Sequence, residues 1–127
     1  MTDTPPPGGE LTIQTVARPA DTNSNGDIFG GWVLSQMDMA GGVAGRKRAR
    51  GRVVTVALDA MSFIRSVQVG DVLCVYTEIE STGRSSMKIH VEAYAERFLT
   101  GVREKVTDAI FTFVAIDEDG NPRPLDG

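Results

Sequence analysis

One stretch of this 127-residue chain, from about Gly31 to Lys47, sets its apolar residues at helical spacing, and nearly everything after it alternates with a period of two. Val33, Met37, Ala40 and Ala44 form the apolar stripe of that helix. After Gly51, strands are expected at Val53 to Leu58 and Met61 to Ile64, then at Val72 to Glu80, Ser85 to Arg97 and Arg103 to Ile116, with a hairpin at Ser81-Thr82-Gly83-Arg84. Upstream, Leu11, Ile13 and Thr15 alternate with Thr12 and Gln14, predicting a strand from Glu10 to Ala17 that Arg18-Pro19 breaks. A flat meander of long strands cannot bury its apolar face on one helix. The expected fold is therefore α+β, a curved antiparallel β-sheet wrapped around a central α-helix.

With 41% hydrophobic and 24% charged residues, the chain suits one globular domain, assigned to residues 10–127. Met1 to Gly9, with Pro5-Pro6-Pro7 and Gly8-Gly9, lacks periodicity and is expected to be a flexible N-terminal tail. A formal net charge of -4 and a pI near 4.9 give no electrostatic footprint for nucleic acid. No run approaches the roughly 18 to 20 apolar residues that cross a bilayer, and the acidic, proline-rich start is no export signal, so a cytoplasmic protein without membrane contact is expected. The single cysteine, Cys74, is expected to pack in the core. With one histidine, His90, a zinc site of the usual kind is excluded within one chain and no metal is expected; His90 itself alternates with Lys88 and Glu92 on a solvated or interface strand face.

The chemistry concentrates where a polar loop enters the helix. Asp21-Thr22-Asn23-Ser24-Asn25-Gly26-Asp27 leads through Ile28-Phe29 into Gly30-Gly31, and Asp38 then stands between Met37 and Met39. A carboxylate among apolar helix residues loses hydration and helix propensity, so it is kept for chemistry or for a specific contact. Gly31, Ser35, Asp38 and Gly42 fall on one stripe, separate from the apolar one, which points Asp38 away from its own core. Gly30-Gly31 bares the unpaired N–H groups at the positive end of the helix dipole, as an oxyanion hole requires. A rise of about 1.5 Å per residue puts Asp38 roughly 10 Å from Gly31, too far for both to touch one carbonyl. Two copies with antiparallel helices across a two-fold axis would bring Asp38 of one to the Asn23–Gly31 segment of the other, which predicts a homodimer. The local chemistry leaves other readings open: Asn23, Asn25 and Asp27 also suit loop turning and helix capping, and Asp38 also suits an interface ion pair. Arg46-Lys47-Arg48 reads as a solvated helix end, with phosphate contact as the alternative.

Together with that loop and helix, Gly51-Arg52-Val53-Val54-Thr55-Val56, Phe63-Ile64-Arg65, Val69-Gly70-Asp71-Val72 and Thr82-Gly83-Arg84-Ser85-Ser86 resemble the hot-dog-fold acyl-CoA thioesterases of the bacterial YciA type, from about Glu10 to Leu125. The resemblance implies a double hot-dog dimer that hydrolyses acyl-CoA to a free acid and CoA, three such dimers commonly forming a hexamer. It matches Asp38 to the family's catalytic carboxylate, as general base or nucleophile, and Asn23 to the asparagine that positions water or thioester. The Gly31 amide is then the oxyanion donor. CoA is part of substrate and product, and no separate cofactor is implied. Arg65, Arg84, Ser85, Ser86 and Lys88 are the candidates for the phosphates and ribose of CoA. Two departures stand out: the Phe98–Val102 connection is shorter than the family's, and the helix end Arg46-Lys47-Arg48 is more basic. A hydratase of the same fold would need a histidine beside the loop or helix, which this chain lacks. A non-catalytic acyl-CoA sensor is the alternative that shares the pocket.

Overall fold

The computed structural model describes residues 7–126. Strand β1 (Glu10–Val16) leads through a short 3-10 turn into helix α1 (Gly30–Ala49), followed by β2 (Val53–Leu58), β3 (Val72–Thr82), β4 (Ser86–Glu96) and β5 (Arg103–Ala115). The strands form one sheet in the order β1-β3-β4-β5-β2, with every neighbouring pair antiparallel. Helix α1 touches all five strands, and only a curled sheet can present five strands to one helix. The expected wrapped-helix architecture is thus the observed one.

The helix buries Val33, Met37, Ala40, Gly41, Gly45 and Ala49. The facing strands bury Leu73 and Val75, then Met87, Ile89, Val91, Ala93 and Ala95, then Phe111, Phe113 and Ala115. The glycines in this helix permit close approach: a Cβ on Gly41 would come 2.7 Å from the Phe113 ring, and one on Gly45 would meet Met87 and Val53 at 3.4 Å. Cys74 is buried, as expected, and burial pushes its thiol up. The helix runs two residues past the expected end because Arg50 takes a left-handed conformation (φ 55°) and returns its N–H to the Arg46 carbonyl.

Two expectations need correction. Met61–Ile64 is not a strand. It follows β5 through single bonds, Asp59 N–H to the Ile110 carbonyl and Ile64 N–H to that of Val106, and the Ser62 carbonyl takes the Thr107 hydroxyl in place of a ladder partner. Nor is the outer face of β4 uniformly solvated. Glu92 and Tyr94 are buried there: Tyr94 Oη donates to Glu92 at 3.0 Å, Lys105 Nζ lies 3.5 Å from Glu92, and Gly8 N–H donates to the same carboxylate. His90 is half-buried with Nε2 2.7 Å from Asp108. Burial works against the Asp108 charge, yet His90 and Lys105 hold its carboxyl below the usual range. Of the expected tail, residues 1–6 lie outside the described residues, whereas a Cβ on Gly9 would collide with the Thr77 carbonyl, so the segment at Gly8-Gly9 lies against the sheet.

The Gly41→Ala variant should be less stable despite a gain of about 1 kcal/mol in helix propensity, because crowding a packed core costs about 1–3 kcal/mol. Chemical denaturation should show a net loss of about 1 kcal/mol, and a stabilised variant would contradict the Phe113 contact. Burial first, and then the bond to Glu92, push the Tyr94 hydroxyl up to about 12 from 10.0. A phenol raised in the folded state stabilises fully below its unfolded value and loses that contribution as pH rises through the folded one. Stability should therefore fall between about pH 10 and 12, and Tyr94→Phe should flatten that limb of a denaturation–pH profile.

Candidate active site

Asp38 sits at the margin of the core, a correction to the expectation that it points away. Gly45 and Ala49 lie seven and eleven residues on, almost in line with it on the helix, and both are buried. That flank faces β2, where Thr55 Oγ1 donates to Asp38 Oδ1 at 2.6 Å. This is the only hydrogen bond to the Asp38 side chain among the described residues, which leaves Oδ2 for a further partner. The sequence reading gave Thr55 no role. Its signal was the one hydroxyl in the valine-rich strand that follows the helix.

Asn23 is committed in part to its own loop. Its Oδ1 accepts the N–H groups of Asn25 (2.8 Å) and Asp27 (3.2 Å), and its backbone pairs with Asp27 and Gly26. Gly26, at φ 85°, supplies the turn that a side chain resists. The loop is pinned at its end, where buried Ile28 donates its N–H to the Val67 carbonyl and Phe29 donates to that of Asp21. The loop-turning role expected of any asparagine there is therefore present, and the Asn23 amide Nδ2 remains without a partner among the described residues.

At the helix start, Trp32 and Val33 both donate to the Phe29 carbonyl, ahead of which the chain has only Gly30 and Gly31. Nothing lies within 4 Å of where a Gly31 Cβ would stand, whereas Phe63 covers Gly30. The Gly31 backbone is thus open to an approaching anion or developing oxyanion. A cavity of about 380 Å³ beside it is lined by Gly30, Phe63, Ile64, Arg65 and Val67. No hydrogen bond links Asn23 to Asp38 within the chain.

The five CoA candidates do not converge in one chain. Arg65 lies near the helix start, 3.2 Å from Glu104 and donating to the Lys105 carbonyl. Ser86 and Lys88 pair with Val114 and Thr112, roughly 25 Å further along β5 at the usual strand rise. Arg84 and Ser85 stand at that same end, in the turn between β3 and β4. On the outer face, atoms of Glu78, Glu80 and His90 lie within 4.8 Å of one another, but His90 Nε2 is already bonded to Asp108.

The region around Asp38 is apolar and uncovered. Met39 and Val43 of the helix, Val54, Val56 and Leu58 of β2, and Phe63 and Ile64 of the following loop are all exposed. Strand β2 is a sheet edge, its second side unpaired. Exposed apolar residues beside an unpaired sheet edge mark a contact with another molecule.

This fold is a hot-dog scaffold, and comparison with known proteins agrees. Residues 25–100 match the family described as the thioesterase superfamily, and the chain belongs to that family. It is 49% identical over 122 residues to the acyl-CoA thioester hydrolase YciA of Salmonella typhimurium, covering 94% of this chain and 92% of that protein. A solved structure of a hexameric broad specificity acyl-coenzyme A thioesterase superposes with a TM-score of 0.93 at 48% identity, covering 98% of this chain and 88% of that one. The hexameric thioesterase y2039 of Yersinia pestis matches with a TM-score of 0.89 and 50% identity over 93% of this chain and 96% of its own.

Proposed function

We propose that the chain is an acyl-CoA thioester hydrolase that releases a free carboxylic acid and CoA, working as a homodimer in which each site draws on both copies. The observation that carries this is the half-buried Asp38 carboxylate, with one oxygen held by Thr55 and the other unengaged, beside an uncovered apolar face. Pairing β2 with its counterpart across a two-fold axis would cover that face. It would also bring Asp38 of one copy toward Asn23 and Gly31 of the other. Three such dimers then make the hexamer, in the cytoplasm, with residues 10–127 as the single catalytic unit.

In that site the Gly31 N–H receives the thioester carbonyl oxygen and Asn23 Nδ2 orients water. Asp38 Oδ2 takes a proton as the water oxygen bonds to the carbonyl carbon. The tetrahedral intermediate collapses by breaking the carbon–sulfur bond, and the proton on Asp38 passes to the departing CoA sulfur. The electrons and proton balance without metal or redox chemistry. Direct attack by Asp38 to form an anhydride is the alternative use of the same carboxylate. Arg65 and the set Arg84, Ser85, Ser86 and Lys88, which lie at opposite ends of one chain, are assigned to CoA across the dimer.

Thiol release from a panel of acyl-CoAs tests the reading. Asp38→Asn should lower kcat by about 10² to 10⁴-fold with assembly intact. Binding of acyl-CoA without turnover by the wild type would establish the sensor instead. For Thr55→Val we expect kcat to fall on the order of 10- to 100-fold with little change in KM, and Thr55→Ser to restore it. A Val56→Lys change on the exposed edge should yield monomers by light scattering and abolish turnover together; a fully active monomer would refute the shared site.

A further inference from the structure

The Val69-Gly70-Asp71 turn has no part in the chemistry above, yet it carries a buried carboxylate where three segments of the chain cross. Asp71 is 3% exposed. Its Oδ2 accepts the Gln68 N–H (2.9 Å) and the Arg97 guanidinium (2.7 Å), and its Oδ1 accepts the Phe98 N–H (3.1 Å). Its backbone carbonyl takes the Ala17 N–H, and its own N–H donates to the Gln68 carbonyl. Arg97 also donates to the Ser66 carbonyl at 3.0 Å. Both ends of the segment from Ser66 to Asp71 are thereby fixed to the body of the fold.

From this fixed segment the Asn23 loop receives its outside support. Among the described residues, two hydrogen bonds join residues 22–28 to a distant part of the chain: Ile28 N–H to the Val67 carbonyl at 3.2 Å, and Gln68 Nε2 to Asp27 Oδ1 at 3.3 Å. The Gln68 amide is aimed by a second contact, since Nε2 lies 2.9 Å from Ser66 Oγ. Asp27 is also the residue on which Asn23 closes. The Asp27 N–H donates to Asn23 Oδ1, and the Asn23 N–H donates to the Asp27 carbonyl. Any movement of Asp27 is therefore passed to the Asn23 side chain, whose Nδ2 is the group offered to water.

We infer that Gln68 is a positioning residue for thioester hydrolysis: its amide holds Asp27, and through Asp27 it sets the direction of the Asn23 amide. Its use in turnover rests on the hydrolase reading; the bond between the two loops does not. Gln68 is exposed, and a hydrogen bond in water adds little to stability, so its loss should appear in rate and not in folding. Rate is sensitive to such a loss because a displacement of about 1 Å at a reacting group can cost about 10²-fold.

The test uses Gln68→Glu, which sets a carboxylate against Asp27, and the double variant Gln68→Glu, Asp27→Asn, which restores the bond with donor and acceptor exchanged. In thiol release from acyl-CoA, Gln68→Glu should lower kcat about tenfold with KM within about twofold and thermal unfolding unchanged, and the double variant should recover most of kcat. Amide hydrogen exchange reads the loop without substrate. The Asn25 and Asp27 N–H groups, both held by Asn23 Oδ1, should exchange at least about tenfold faster in Gln68→Glu and return toward the wild-type rate in the double variant. Either readout unmoved in Gln68→Glu, or a loss that the double variant does not recover, overturns the proposal. A wild type that hydrolyses no acyl-CoA removes the hydrolase reading and with it the role in turnover, while exchange decides separately whether Gln68 sets Asn23.

Discussion

The close approach of α1 to the sheet, set by Gly41 and Gly45 against Phe113, Met87 and Val53, is the contact on which the other features depend. Side chains at those two positions would push the helix outward. The sheet could not then curl far enough to bring both of its edges, β1 and β2, to one helix. The proximity of β2 also lets the short Thr55 side chain reach Asp38. A segment that looks like a weak helix by propensity is therefore required by packing, where local cost is offset by tertiary burial.

Much of the fold was legible because period-2 and period-3.6 patterns survive in the chain wherever one face is buried. β3, β4, β5 and α1 lie within a few residues of where the alternation places them. Met61–Ile64 misled because an apolar run describes burial, not hydrogen bonding. That loop packs beside β5 but is tied by single bonds and a Thr107 side chain. Glu92 misled for the opposite reason. Polar residues at alternate positions read as a solvated or interface face, whereas here the Glu92 carboxylate accepts from the Tyr94 hydroxyl and the Gly8 N–H. Such a network joins positions 8, 92, 94 and 105, and no local pattern announces it.

The candidate site was legible in its residues more than in its geometry. Asp38 stood out as a carboxylate in an apolar helix, and the glycine pair as a bare helix entry. Thr55 did not, since a threonine in a strand is ordinary until the fold sets it 2.6 Å from a carboxylate. Asn23 illustrates how one side chain serves two ends. Its carbonyl oxygen holds the loop in shape while the amide nitrogen has no partner among the described residues. A loop rigidified by its own side chain would lose little conformational freedom on meeting a ligand.

Strand β2 carries a further consequence, for the life of the chain while this edge is uncovered. Its sequence, Val-Val-Thr-Val-Ala-Leu, is uncharged, rich in β-branched residues and free of proline, and it lies at a sheet edge. Those are the properties that template the addition of foreign strands. The edge that the proposed dimer would cover is thus an aggregation hazard for as long as it stays uncovered. Correct pairing competes with misassembly, and the solubility of this protein becomes a function of its own concentration and rate of synthesis.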